Sequence, residues 1–142
     1  PDEIKAACNI LDACISHIYH QRMLEVRNLD TAQQIEKYIN DNIAWDLSIE
    51  HLCAHFSVSR AELYQIFHTS FNSSVADYIR SKRISMAEQM IRTTAMQISE
   101  IASNVGFYDY NYFSKVFHRK FGCSPREYRK KLESGSEAAD KK

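Results

Sequence analysis

Glycine and proline are scarce in this sequence, which has three glycines and two prolines among 142 residues. An all-β fold or a glycine-rich phosphate-binding loop would need more of the residues that form tight turns. The sequence also lacks an apolar run close to the ~20 residues that cross a bilayer. These absences favour an all-α protein that does not span a membrane.

Paired cysteines are absent as well. Cys8, Cys14, Cys53 and Cys123 form no CxxC motif and do not have the spacing of a disulfide framework. We interpret them as reduced thiols, which predicts a cytoplasmic protein. The sequence begins with Pro1 and shows no signal segment, so we expect a piece of a longer protein or a processed form.

The net charge is zero, but the charged residues are unevenly distributed. Residues 77–132 carry eleven basic and five acidic side chains, whereas residues 41–76 carry one basic and four acidic side chains. A locally basic surface attracts polyanions even when the whole protein is neutral. The basic half is therefore a candidate surface for nucleic acid.

The N-terminal segment has the apolar spacing of one helix face. Between residues 2 and 27 the apolar positions recur at steps of four and three, at Ile4, Cys8, Leu11, Ile15 and Ile18. The pattern stops at Arg22 and Glu25, which argues against a long coiled coil. Two interpretations remain open: this helix packs on a neighbouring domain, or it forms a short dimer seam.

The composition divides the chain into three parts. Residues 1–30 are predicted to be a helix and linker from an upstream domain, and Asp30-Thr31 is predicted to cap a new helix over about 31–42. Residues 31–132 form the main domain. Residues 133–142 are too polar to pack, so we predict a flexible tail.

The main domain contains an internal repeat of about 50 residues. Positions 49–58 match positions 98–107, and positions 63–78 match positions 113–128. Each copy has the pattern of a short helix, a tight turn and a second helix, which is a helix-turn-helix. The turn needs a residue with positive φ, which Gly106 adopts freely and Ser57 less easily.

The repeat predicts a layout suited to DNA. The first helix-turn-helix covers about 48–70, a linker helix about 74–93 and the second helix-turn-helix about 97–121. The linker helix would be roughly 30 Å long, close to the ~34 Å of one duplex turn. Because a helix fits the major groove, the second helices of both copies could enter successive major grooves.

From about Ile35 to Arg129 the sequence resembles the DNA-binding domain of AraC/XylS-type bacterial transcription regulators. The resemblance is dense over ISEIASNVGFYDYNYFSKVFHRKFGCSPREYRK and looser over LSIEHLCAHFSVSRAELYQIFHTSF and VADYIRSKRISMAEQMI. It implies that residues 31–132 are an all-α domain with two helix-turn-helix units joined by a long helix. The implied function is sequence-specific binding of double-stranded promoter or operator DNA, without enzymatic activity.

The resemblance also implies which residues contact DNA. Base-reading positions fall on the second helix of each unit, at Arg60, Ala61, Tyr64, Gln65, Tyr110, Asn111, Ser114 and Lys115. Phosphate contacts are expected from Ser59, His118, Arg119, Lys120, Ser124 and Arg126. The helix N-terminal amides near Ser48, Gln97 and Ser124 are further candidates for phosphate contacts.

The first unit departs from the family pattern. Ser57 and Asn72 stand where the family usually has glycine, Gln65 stands where arginine is common, and His68-Thr69 replaces a basic pair. We therefore expect the second unit to supply more of the electrostatic attraction to DNA.

Other candidate sites are weaker. His51 and His55 have the i, i+4 spacing of metal ligands, but no third ligand is placed, so we predict no metal site. The sequence shows no cofactor motif and no pairing of a nucleophile with a base. Arg80, Lys82 and Arg83 on the linker helix either contact DNA or form ion pairs within the protein, with Asp77 or Glu88 as partners.

A second function stays open at this point. The acidic first unit and the apolar N-terminal seam also fit a helical dimerisation or protein-interaction module with weak or lost DNA binding. Candidate partners besides DNA are RNA polymerase and a second copy of the chain, paired through the N-terminal helix or an upstream domain.

Overall fold

The computed structural model describes residues 2–139, with side chains described through residue 135. These residues form seven α-helices and no strand: α1 (Asp2–Asp41), α2 (Ile49–Phe56), α3 (Arg60–Phe71), α4 (Val75–Thr93), α5 (Ile98–Asn104), α6 (Tyr110–Phe121) and α7 (Pro125–Ala139). The predicted all-α fold is confirmed, with two helix-turn-helix units, α2–α3 and α5–α6, joined by α4. None of these helices is both long and apolar enough to span a membrane.

Two separate hydrophobic cores underlie the two units. The first core joins the end of α1 to α2, α3 and the start of α4, and it is centred on Leu52, Leu63 and Phe67. The second core joins the end of α4 to α5 and α6, and it is centred on Phe113 and Phe117. We call each core with its surrounding helices the first and the second unit.

The repeat extends beyond the helix-turn-helix segments into the helix that precedes each of them. Buried residues of α1 stand 52 positions before buried residues of α4, in the pairs Ala32 and Ile84, Ile35 and Ala87, and Ile39 and Ile91. The end of α1 therefore supports the first unit in the way that the end of α4 supports the second unit.

The helices α2, α3 and α6 begin at polar residues whose side chains cap them. The side chains of Ser48, Ser59 and Asp109 accept hydrogen bonds from amides in the first turn of α2, α3 and α6. The positive φ predicted at the two turns is confirmed, with 52° at Ser57 and 91° at Gly106, and Asn72 and Gly122 are left-handed as well, with φ of 48° and 76°. The caps and the left-handed turns fix where α3 and α6 begin and end, and so which residues of each helix face its core and which face outward.

The predicted helix boundary at residues 28–31 is wrong, because α1 runs without a break from Asp2 to Asp41. Asp30 and Thr31 do not form an N-cap. The Thr31 hydroxyl donates to the Arg27 carbonyl at 2.8 Å, and Gln34 donates to the Asp30 carboxylate at 3.2 Å. Both polar side chains are thus hydrogen-bonded along the helix, and neither glycine nor proline stands nearby to end it.

The C-terminal segment also differs from its prediction. The sequence predicts a flexible tail over 133–142, whereas α7 continues to Ala139; residues 140–142 lie outside the described residues. Ser134 stays within the helix because its hydroxyl donates to the Lys130 carbonyl at 2.6 Å. A polar composition prevents packing but does not by itself prevent a helix.

Candidate nucleic-acid interface

Both proposed recognition helices bury one face and expose the other. On α3, Leu63, Ile66 and Phe67 are buried, whereas the four predicted base-reading residues are all exposed: Arg60, Ala61, Tyr64 and Gln65. On α6, Phe113 and Phe117 are buried, Asn111 and Lys115 are exposed, and Tyr110 and Ser114 are half-buried. The apolar spacing of each helix therefore turns its polar residues outward.

A shallow groove of about 750 Å³ lies beside α6. It brings together three predicted base-reading residues and three predicted phosphate-contacting residues, namely Asn111, Ser114, Lys115, His118, Arg119 and Ser124. The start of α7 closes one side of this groove through Ser124. The groove combines amide, hydroxyl, imidazole and cationic donors, which are the groups that bind base edges and phosphates.

An equivalent groove of about 490 Å³ lies beside α3. Its residues Tyr64, His68 and Ser74 stand 50 positions before Ser114, His118 and Ser124 of the second groove. The sequence repeat therefore produces two grooves at equivalent positions, one beside α3 and one beside α6. The charge differs between the two, because the second groove is lined by a lysine and an arginine and the first by neither.

Lys120 and Arg126 lie outside the groove beside α6. The Lys120 ammonium donates to the Ser85 hydroxyl on α4 at 2.9 Å and lies 5.7 Å from the centre of the Phe121 ring. Arg126 is exposed at the start of α7. Any phosphate contact by these two residues would therefore be separate from the contacts made inside the groove.

Arg60 of α3 forms an exposed salt bridge with Glu50 of α2. Sequence reasoning missed this pair, although Arg60 is the one basic residue within residues 41–76 and Glu50 is ten positions away. An anion beside a cation weakens the attraction of that cation to phosphate. The salt bridge therefore reduces the positive potential at the exposed face of α3.

The helix N-termini expected to bind phosphate are occupied by carboxylates of the protein. The backbone amide of Ser48 donates to Asp46 at 3.0 Å, that of Gln97 to Glu100 at 3.3 Å, and that of Ser124 to Glu127 at 2.8 Å. The hydrogen bonds from Ser124 lower the pKa of Glu127. A phosphate at these amides would have to displace an anion, so the expected amide contacts are not supported.

In each unit a tyrosine and a cationic side chain both donate hydrogen bonds to one glutamate on another helix or turn of the same unit. We call this group of three side chains the buttress, and the sequence analysis did not predict it. In the first unit, Tyr78 and Lys82 both donate to the Glu36 carboxylate at 3.0 Å. These two bonds, from Lys82 first, lower the pKa of Glu36, and burial raises the pKa of Tyr78 above its usual range.

The second unit repeats this buttress. Tyr128 and Arg92 both donate to Glu88, and hydrogen bonding to that carboxylate raises the pKa of Tyr128. Tyr78 and Tyr128 were already matched by the repeat. A search for acidic residues at a similar offset would have found the two glutamates, which stand 52 positions apart.

The cations of α4 bind protein groups. Arg80 pairs with Asp77 at 2.8 Å, as one of the sequence interpretations expected. Lys82 pairs with Glu36 at 3.0 Å, a partner that the sequence did not indicate. Arg83 is half-buried and donates to backbone carbonyls, and its burial lowers its pKa.

His51 and His55 pack around one tyrosine. The Tyr38 hydroxyl lies 2.7 Å from His51 Nε2, and the Tyr38 ring stacks on His55 with 4.1 Å between ring centres. The i, i+4 spacing of the two histidines is thus used for side-chain packing on the surface of the first unit.

Comparison with known proteins identifies the family. A model of a helix-turn-helix domain family matches residues 52–131. The chain is 34% identical to the regulatory protein SoxS of Escherichia coli over 68% of its length, which covers 97% of SoxS. It also superposes, with a TM-score of 0.65 and 25% identity, on a Chromobacterium violaceum transcriptional regulator described as AraC-type, covering 76% of this chain and 94% of that one.

The chain belongs to the AraC-type helix-turn-helix family. It is therefore a DNA-binding domain of a bacterial transcription regulator, and the family is not one of enzymes. Another relative is the transcriptional activator RhaR of Cronobacter sakazakii, with 32% identity over 70% of this chain. The match covers 35% of RhaR, so this chain spans about a third of the length of such a relative.

Proposed function

We propose that this AraC-type domain binds a specific double-stranded DNA sequence by inserting α3 and α6 into successive major grooves on one face of the duplex. The observation that carries the proposal is the pair of equivalent grooves, built from residues 50 positions apart beside two helices with exposed polar faces. The linker helix α4 has 19 residues, which span about 28 Å and approach the ~34 Å of one duplex turn.

In this proposal, base edges are read by Arg60, Ala61, Tyr64 and Gln65 on α3 and by Tyr110, Asn111, Ser114 and Lys115 on α6. Lysine suits guanine, and asparagine and glutamine suit adenine. Contacts to phosphate fix the register, and we assign them to Ser59, His118, Arg119, Lys120, Ser124 and Arg126.

Selection of bound sites from random double-stranded DNA tests the proposal. We expect a bipartite site whose half-sites lie about one helical turn, ~10 base pairs, apart. Asn111→Ala and Lys115→Ala should each relax discrimination at one base pair of one half-site by ~1–3 kcal/mol. Unchanged sequence preference in both variants would show that α6 is not a reading helix.

Arg119→Ala tests the division between reading and positioning. Because a phosphate contact carries no sequence information, we expect weaker binding to all sequences and a salt slope that is smaller by about one. Lys5→Ala is the matched control, since it removes the same charge from the exposed N-terminal part of α1. A loss confined to certain sequences would contradict the phosphate role.

A second candidate function follows from the exposed apolar residues of α1. Ile4, Leu11, Ile15 and Ile18 are each 60–70% exposed, which fits a module that binds another helix, but the family match does not favour the weak or lost DNA binding of this alternative. A mobility-shift assay with genomic fragments at low salt separates the two functions, because complete absence of a shift would favour the interaction module. RNA polymerase, a second copy of the chain and a cytoplasmic location belong to the proposal for the full-length regulator.

A further inference from the structure

The two units meet at a junction whose cavity is lined in part by residues of both hydrophobic cores, Leu47 and Ile79 of the first and Phe107 of the second. The loop between α1 and α2 and the turn between α5 and α6 face each other across α4, around a cavity of about 580 Å³. Among the partly buried residues, Met86 packs against both cores. A thioether side chain is flexible and is a poor fixed support, so besides the continuous helix α4, whose two ends are buried in the two cores, a more rigid contact at this junction would hold the angle between the units.

Arg83 of α4 supplies such a contact to the first unit. Its Nε donates to the carbonyl of Ile43 and its Nη2 to the carbonyl of Trp45, both at 3.0 Å. Two bonds from one planar guanidinium fix its orientation. The loop that leads into α2 is thereby attached to the linker helix.

The same guanidinium touches the second unit at Gly106. A Cβ atom at Gly106 would lie 2.8 Å from Arg83 Cζ, from Arg83 Nε and from the Ile43 carbonyl oxygen. The turn backbone therefore lies directly against both the guanidinium and the loop of the first unit. Gly106 has a second constraint besides its φ of 91°, since any side chain would push the two units apart.

An arginine of the second unit makes similar backbone contacts, but only within its own unit. There, Arg129 of α7 donates to the carbonyls of Met96 and Thr94, in the loop that leads into α5. The position 50 residues earlier is the buried Ile79. The arginine of the first unit stands four residues further along its helix, about one turn nearer to the second unit.

We propose that Arg83 is a positioning residue that sets the angle between the two helix-turn-helix units and thereby the half-site spacing that the domain accepts. The effect on spacing rests on the proposed function, whereas the effect on the angle does not. Arg80→Ala is the matched control, because it removes the same charge from α4; Arg80 also lines the cavity, but its ion-pair partner Asp77 belongs to the same helix.

Residual dipolar couplings of backbone amides test the angle without DNA. In the wild type and in Arg80→Ala, one alignment tensor is expected to fit the amides of both units. In Arg83→Ala, we expect the two units to require different tensors, while each unit still fits its own coordinates. A single tensor equal to that of the wild type would overturn the proposal.

A panel of DNA sites tests the spacing. The panel contains the selected bipartite site, the same site with two inserted base pairs, and each half-site alone. Two base pairs rotate one half-site by roughly 70° about the duplex, so the wild type and Arg80→Ala should bind the altered site at least about tenfold more weakly. In Arg83→Ala this ratio should fall to about threefold or less, with unchanged binding to each half-site.

Gly106→Ala provides a second variant that keeps the arginine. We expect it to weaken the spacing preference as Arg83→Ala does. If Arg83→Ala instead lost binding to the half-site of the first unit, Arg83 would be a structural residue of that unit and the proposal would be overturned. If the wild type preferred no spacing, the proposed function would fail, and the dipolar couplings alone would then decide the role of Arg83.

Discussion

Four residues have positive φ, and they differ in how well their side chains tolerate it: Ser57, Asn72, Gly106 and Gly122. Space as well as φ demands glycine at Gly106, whereas a Cβ at Gly122 would have no atom within 4 Å. Asn72 suits a left-handed position because its short polar side chain tolerates that region. Ser57, with φ of 52°, has neither advantage, so it is the residue at which the backbone stores conformational strain.

Ser57→Gly is therefore expected to stabilise the domain by about 0.5–1 kcal/mol, because relief of the left-handed strain exceeds the added entropy of the unfolded chain. Urea unfolding followed by circular dichroism measures the change. Asn72→Gly is the control and should give a smaller gain. A Ser57→Gly variant less stable than the wild type would show that the serine side chain supports the turn.

At the scale of elements, α1 consists of two parts with different roles. Its last turns bury Ala32, Ile35 and Ile39 in the first core, whereas residues 2–27 are exposed throughout. The exposed part carries large apolar side chains, including Ile15, which is 62% exposed. This part contributes nothing to either core, so its apolar face is available to a neighbouring domain or to a second copy.

Deleting residues 1–24 is expected to change the free energy of unfolding by less than about 0.5 kcal/mol, as exposed substitutions do, and to leave DNA affinity unchanged. Ile39→Ala is the contrasting variant and should cost about 2–5 kcal/mol through the cavity that it creates. Sedimentation velocity on the whole and shortened chains then separates the two interpretations of α1. A dimer that the deletion converts to a monomer would favour the seam, and a monomer in both would favour a neighbouring domain.

At the scale of the whole molecule, the charge is polarised although its sum is zero. The groove of the second unit carries Lys115 and Arg119, whereas the arginine of the first recognition helix is paired with Glu50. Coulomb attraction to phosphate falls when an anion lies beside the cation. We therefore expect most of the salt-dependent affinity for DNA to come from the second unit.

Glu50→Gln should strengthen binding to the selected site by about two- to fivefold at moderate salt, since it frees Arg60 and removes a negative charge beside the DNA. Fluorescence anisotropy across a range of salt concentrations measures the effect. Glu3→Gln removes the same charge from the exposed end of α1 and should change nothing. Weaker binding by Glu50→Gln would mean that Glu50 holds Arg60 in its reading geometry.

Local interactions explain what was predictable from the sequence alone. Helix periodicity, capping serines and left-handed turn residues act over about four positions, and an internal repeat is visible without coordinates. They were sufficient for the all-α fold and for both units. The same local rules failed at Asp30-Thr31, where the polar side chains hydrogen-bond along α1 and do not begin a new helix.

Contacts between distant residues were decided only by the tertiary structure. Tyr78 reaches Glu36 across 42 positions, and Arg83 reaches the Ile43 carbonyl across 40. Periodicity assigns each of these residues to a helix face, but their partners depend on how the helices cross and on how far each side chain reaches. The sequence therefore predicted which helices have an exposed polar face, whereas the contacts among Gly106, Arg83 and the Ile43 carbonyl depend on the tertiary structure.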